Sequence, residues 1–156
     1  MDKSEENIRI IARNRKARHD YLVESTIEAG LDLKGSEVKS VREGKVNLSD
    51  SYAVVEKGEI YLKKLHISPY KMASDSLDPI RPRRLLLHKR EIRKLSIKIE
   101  QRGMSLIALA IYFRGPYAKI ELGLARGRKR YDKREAIARA EADRKIQRAV
   151  RRNIEK

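Results

Sequence analysis

Residue types capable of catalysis are few in this chain, and their spacing offers little to a reaction. Asp75 and Asp78 sit in a stretch bracketed by Pro69, Pro79 and Pro82, where two carboxylates could hold Mg²⁺ as in a metal-dependent nuclease; the solvation of a loop accounts for the same pair. His19 and Asp20 could form a base–carboxylate pair, but the segment reads as a strand, whose neighbours face opposite sides and cannot share a proton. The run from 123 to 129 mixes glycine and lysine without the spacing of a phosphate loop. Neither a G-x-S-x-G elbow nor a G-x-G-x-x-G fingerprint occurs. Cysteine is absent, which removes thiolate zinc sites and cysteine nucleophiles, and His19, His66 and His88 are too scattered for a histidine-rich metal cluster. The pattern points away from an enzyme and calls for no metal or cofactor.

Binding chemistry is better supplied. The 156 residues hold 38 Lys+Arg against 22 Asp+Glu, a formal charge of +16. A domain this basic attracts phosphate whatever its fold, with an affinity that falls steeply as salt rises. Ribosomal, histone-like and membrane-surface proteins share such a charge, so the aromatic residues matter. Tyr21, Tyr70, Tyr117 and Tyr131 stand beside charge or a turn, where a ring can stack on an unpaired base. Tyr21, Tyr52, Tyr61 and Tyr112 equally read as ordinary strand residues, whereas Tyr131 has no core nearby to join. Glu28 is the odd group. Because it repels phosphate, it either accepts from a base amino group or a 2′-hydroxyl, or it pairs with a neighbouring Lys or Arg at the surface.

The elements that must position these groups follow from the pattern. The length suits about one domain, at roughly 150 residues each. Residues 126–156 carry 13 basic and 5 acidic side chains, a net of +8, as much as the preceding 125 residues together. That tail has too few large apolar side chains to offset an ordering entropy of roughly 1–2 kcal/mol per residue. Its Ala, Arg, Lys and Glu content favours helix once a partner supplies contacts, with Ile146, Val150 and Ile154 as a narrow stripe. The chain therefore divides into a basic lead-in (1–18), a body (19–125) and a basic tail (126–156), disordered when free and helical when bound.

Within the body, a two-residue period puts Tyr21, Val23, Ser25, Ile27, Ala29 and Leu31 on one face, with Glu24, Thr26 and Glu28 on the other. Ser36 opens a short helix that Gly44 ends. Strands over 51–55 and 59–65 join through Lys57-Gly58, and a loop follows over 68–84. A second helix spans 88–102, with Ile92, Leu95 and Ile99 as its apolar stripe and Gly103 after its end. Strands at 105–113 and 118–124 turn through Gly115-Pro116. Six or so strands with few helices favour closure, which removes exposed edges. The expected fold is mainly β: an OB-like antiparallel β-barrel with flanking helices, then the tail. No apolar run approaches the roughly 20 residues that cross a bilayer. The first six residues lack the apolar core of a signal peptide. The expectation is a soluble, cytoplasmic protein.

An ordered set of motifs runs from about residue 11 to 134. It comprises Asn14-Arg15-Lys16-Ala17-Arg18-His19-Asp20-Tyr21, Glu28-Ala29-Gly30, Gly35-Ser36-Glu37-Val38-Lys39-Ser40-Val41-Arg42 and Asn47-Leu48-Ser49-Asp50-Ser51-Tyr52-Ala53. It continues with His66-Ile67-Ser68-Pro69-Tyr70, Arg83-Arg84-Leu85-Leu86-Leu87-His88 and Gly127-Arg128-Lys129-Arg130-Tyr131-Asp132-Lys133-Arg134. In these residues the chain resembles the SsrA-binding protein family, also called small protein B, the bacterial partners of transfer-messenger RNA. The resemblance implies an OB-like barrel that is not an enzyme and needs no cofactor. It implies binding to the tRNA-like domain of transfer-messenger RNA in place of a missing anticodon arm, and delivery with elongation factor Tu to stalled ribosomes, with no part for a membrane. The tail would become helical in the empty mRNA channel, near the decoding centre of the small subunit. Carried over, the RNA-facing positions are Asn14, Lys16, Arg18, His19, Tyr21, Glu28, Lys39, Leu86, Lys119, Arg128 and Lys129. Those near the decoding centre are Tyr131, Asp132, Lys133 and Arg134. Arg84, Arg128 and Arg130 stand where the family usually has lysine, which keeps the charge but replaces a point charge with a planar fork. A ribosomal or ribosome-assembly protein of the same basic OB character is the alternative among binding proteins.

Overall fold

A computed structural model of the chain describes residues 7–73, 77–127, 144–146 and 148. The elements are β1 (Ile8–Arg13), α1 (Arg15–Asp20), β2 (Tyr21–Leu31), α2 (Gly35–Arg42), β3 (Val46–Asn47) and β4 (Tyr52–Glu56). They continue with β5 (Glu59–Lys63), β6 (His66–Ile67), β7 (Arg83–Leu86), α3 (Lys89–Arg102), β8 (Ser105–Arg114) and β9 (Tyr117–Gly127). Local chemistry explains several boundaries. Lys57 and Gly58 both have positive φ (51° and 76°), as a two-residue hairpin turn between twisted strands requires, and Glu56 faces Glu59 across it. Gly103, at φ 63°, ends α3 in the left-handed conformation.

The strands β8, β4, β5, β7, β2 and β9 follow one another, and β9 pairs back onto β8, which closes the antiparallel barrel expected from the sequence. Alternate side chains fill its interior, among them Ile60, Leu62, Leu106, Ile111, Ile120 and Leu122. Ile92 and Leu95 of α3 and Val41 of α2 join that core. Strand β8 organises the rest. One of its edges runs along β9, while the other is shared: Leu106 and Ile107 pair with β4, and residues 110–114 pair with β1. Asn14 sits at the changeover. Its amide nitrogen donates to Ala108 O (2.9 Å) and Leu48 O (3.0 Å), and its Oδ1 accepts from Ala17 N (3.1 Å) at the start of α1.

A second buried group locks the proline-rich loop. Glu37, in the first turn of α2, accepts from Arg83 Nε (2.9 Å), whose Nη2 lies 2.7 Å away as an ion pair, from Lys34 N (2.9 Å) and from two nitrogens of Arg81. Arg83 also donates to Pro79 O (3.0 Å) and to Leu65 O. The loop ends are thus tied to a helix and a strand through one fully buried guanidinium.

Three expectations change here. Residues 1–18, read as a lead-in, supply β1 and most of α1, because the open part of the β8 edge gives β1 its backbone partners. The segment 68–84, read as loop, ends in β7, hidden by an arginine at a core position. The apolar face of β2 splits: Ile27, Ala29 and Leu31 enter the barrel core, while Tyr21 and Val23 pack with Ala17, Ile107, Leu109 and Ala125 outside it. Helix α1 covers the start of β2 and so gives those outer residues a cover of their own. The chain divides into two compact units, Met1–Arg126 and Gly127–Lys156. In the second, Arg144, Lys145, Ile146 and Arg148 are helical and exposed, and the rest of the expected tail lies outside the described residues beyond Gly127. No helix among the described residues is long and apolar enough to cross a membrane.

Candidate nucleic-acid interface

The outer face of the adjacent strands β7, β2, β9, β8 and β1 brings Leu86, Glu28 and Lys119 together. Register sets the rows. Tyr112 lies opposite Lys119 on one side and Ile10 on the other; Arg114 lies between Tyr117 and Ile8. From β2, Glu28 reaches this face: its Oε2 accepts from Arg114 Nη2 (2.8 Å) and from the Tyr112 hydroxyl. Partial burial pushes the Glu28 carboxyl up, but the hydrogen bonds from Arg114 and Tyr112, with the charges of Arg114 and Lys119, outweigh it and hold the group below its ordinary value. Burial and the nearby carboxylate push the Tyr112 phenol up, so it stays a donor. Both donors converge on Oε2, and among the described residues no donor reaches Oε1. The surface-pair reading of Glu28 is what the geometry shows: the carboxylate is salt-bridged to Arg114 and oriented by Tyr112.

Helix α1 lines the side of this face. Ala17 anchors it on Ile107 and Leu109, and the cationic side chains project outward. Lys16 lies 3.7 Å from Asp50 and Arg18 3.4 Å from Glu121, surface pairs whose cations are well exposed and that contribute little to stability. His19 corrects the strand reading: it and Asp20 close a helix, and Nδ1 lies 3.1 Å from Asp20 Oδ1. The exposed ring makes this a surface pair. Asn14 is a second correction. Expected to face RNA, it is 5% exposed and spends its amide on the body, because only a side chain with donor and acceptor can satisfy both backbone ends at the β8 changeover. Tyr21 packs against the outer cluster under α1.

Leu86 is half exposed on β7 and lies over Gly30, whose missing Cβ would stand 3.2 Å from Leu86 Cβ. Lys39 belongs to α2, where its Nζ stands 5.4 Å from the centre of the Tyr70 ring. Arg128, Lys129, Tyr131, Asp132, Lys133 and Arg134 lie outside the described residues, as does Asp75. Asp78 Oδ1 accepts from Ile80 N (3.0 Å), a turn contact. No group of three or more His, Cys, Asp or Glu positioned for a metal occurs among the described residues.

Sequence reasoning passed over Tyr112, Arg114, Ile8 and Ile10. Arg114 had a signal, a lone cation closing an apolar run before Gly115-Pro116. The isoleucines of β1 were hidden by the arginines around them, Arg9 and Arg13.

A family model described as SmpB protein matches residues 11–152. The SsrA-binding protein of Halothermothrix orenii is 57% identical over 148 residues, 94% of this chain and 96% of that one. That of Acetivibrio thermocellus is 53% identical over 152 residues, 97% and 99% of the two chains. A solved structure described as "tmRNA-SmpB: a journey to the center of the bacterial ribosome" matches with a TM-score of 0.64 at 52% identity, covering 83% of this chain and 95% of that chain.

Proposed function

The chain belongs to the SmpB protein family, and from that premise we propose that its outer barrel face grips the tRNA-like domain of transfer-messenger RNA while its basic tail probes the ribosome. Its role is that of a transfer-messenger RNA-binding protein of ribosome rescue. On the barrel, Lys16, Arg18, His19 and Lys119 meet phosphates, and Leu86 packs against the RNA. Glu28 accepts from a base amino group or a 2′-hydroxyl. The observation that supports this face is the Glu28 cluster: one carboxylate held in place by Tyr112 and Arg114 amid cations. A merely sticky basic surface would have no use for it.

Lys39 with Tyr70, and Arg128 with Lys129, extend the contact beyond this face. Tyr131, Asp132, Lys133 and Arg134 act near the decoding centre once the tail becomes helical in the empty mRNA channel. The protein works in the cytoplasm as an adaptor without catalysis, in a delivery complex with elongation factor Tu. Truncation before Tyr131 tests the division of labour. Affinity for the tRNA-like domain, read by gel shift against ribosomal RNA competitor, should stay within about twofold while tagging on stalled ribosomes is lost. Equal loss of both would reject it.

A further inference from the structure

Strand β1 brings two isoleucines to the outer face, 40% (Ile8) and 47% (Ile10) exposed, while Ile11 packs against the core across a bulge in the register. Single exposed apolar residues need no explanation. These two are placed together by pairing: Ile10 stands directly opposite Tyr112, and Ile8 opposite Arg114. With Leu109 and Ala110 they floor a groove of about 310 Å³. Its rim is Arg13, Arg18 and Arg114, with one carboxylate, Glu121, held 3.4 Å from Arg18. Ile8 and Ile10 precede residue 11, where the family match begins.

We infer that this groove takes one unpaired nucleotide of the bound RNA, its base lying on the Ile8–Ile10–Tyr112 floor and its phosphate meeting the arginine rim. The inference rests on the RNA-binding reading of the adjoining face, with which the groove shares Tyr112 and Arg114. An apolar floor is wasted on a duplex backbone, whose surface is phosphate and sugar, but a splayed base offers an apolar face of its own. Arg13, Arg18 and Arg114 outnumber the two carboxylates that pair with them, Glu121 with Arg18 and Glu28 with Arg114, which leaves the margin cationic and favours an anionic group there. Glu121 supplies an acceptor toward a base amino group.

The contact with the floor releases no counterions, and that separates it from every basic residue nearby. The Ile8→Ala/Ile10→Ala double variant should bind the tRNA-like domain about tenfold more weakly, the scale of one lost base stack, with an unchanged slope of log affinity against log salt. Arg13→Gln should instead lower that slope by about one. Ile8→Val/Ile10→Val, which keeps the β-branched surface, should recover most of the affinity, and chemical probing should find one unpaired nucleotide protected by the wild type and released by the alanine variant. Comparable melting temperatures exclude misfolding of β1; if alanine unfolds it, the valine variant and the Arg13→Gln slope still decide through the probing pattern. Unchanged affinity with an unaltered pattern overturns the nucleotide site alone. A wild-type protein without preference for the tRNA-like domain would instead overturn the RNA-binding reading beneath it.

Discussion

Glu37 and Glu28 carry the same chemistry and do different work. Each is a glutamate met by arginine, and each has a carboxyl held below its ordinary value by hydrogen bonds that outweigh burial. The Glu37 side chain is 4% exposed and takes four donors, from the N-cap of α2, the proline-rich loop and β7. The Glu28 side chain is 33% exposed and, among the described residues, takes two, both from β8 across the intervening β9. A buried carboxylate with every lone pair occupied can only staple the fold together. A half-open one, pinned by one oxygen, keeps an acceptor for an outside donor. Exposure, rather than the presence of an ion pair, separates the staple from a carboxylate that an outside donor can reach.

The largest effect should come from the staple. Glu37→Ala leaves the Arg83 guanidinium buried without its counter-charge and should destabilise the body by about 3–5 kcal/mol, read from denaturant midpoints. A loss below about 1 kcal/mol would mean the loop is held by other contacts. The opposite profile is expected on the outer face. Glu28→Ala should lower affinity for the tRNA-like domain about tenfold, or about 1.4 kcal/mol, although it removes a negative charge from a basic face. Its stability should change far less than that of the Glu37 variant. Tighter binding would mean that Glu28 serves only as a surface pair.

Acid sharpens the contrast in smaller steps. Because the folded pKa of Glu37 is depressed below the unfolded reference of 4.5, its contribution is complete above that reference and is lost as pH falls through the folded value. The stability gap between the wild type and Glu37→Gln should therefore narrow on going from pH 7 to pH 3. A constant gap would show that charge is not what Glu37 contributes.

Much of the body was legible beforehand because its signals are local. The Lys57-Gly58 turn, Gly103 after α3 and the apolar run of β8 each declare themselves within a few residues. What stayed hidden depends on distant partners. The arginine that opens β7 looks like loop until Glu37, 46 residues earlier, neutralises it in the core. The face of Tyr112 is undefined until Glu28, 84 residues away, claims its hydroxyl. Asn14, placed among RNA contacts by resemblance, turned inward because the changeover on β8 needs an amide there.

From sequence alone came the charge, the absence of thiols, the periodicity that makes a closed β-barrel, and the motifs that mark a family. Each is a property of residue type or of neighbours along the chain. Which carboxylate is buried, which faces outward, and which isoleucines share a floor with Tyr112 were settled only by tertiary pairing, barrel closure for the first two and the docking of β1 on β8 for the last. Strand order and register decide what solvent can reach, and the free energy of a charge or an apolar side chain depends on that more than on its identity.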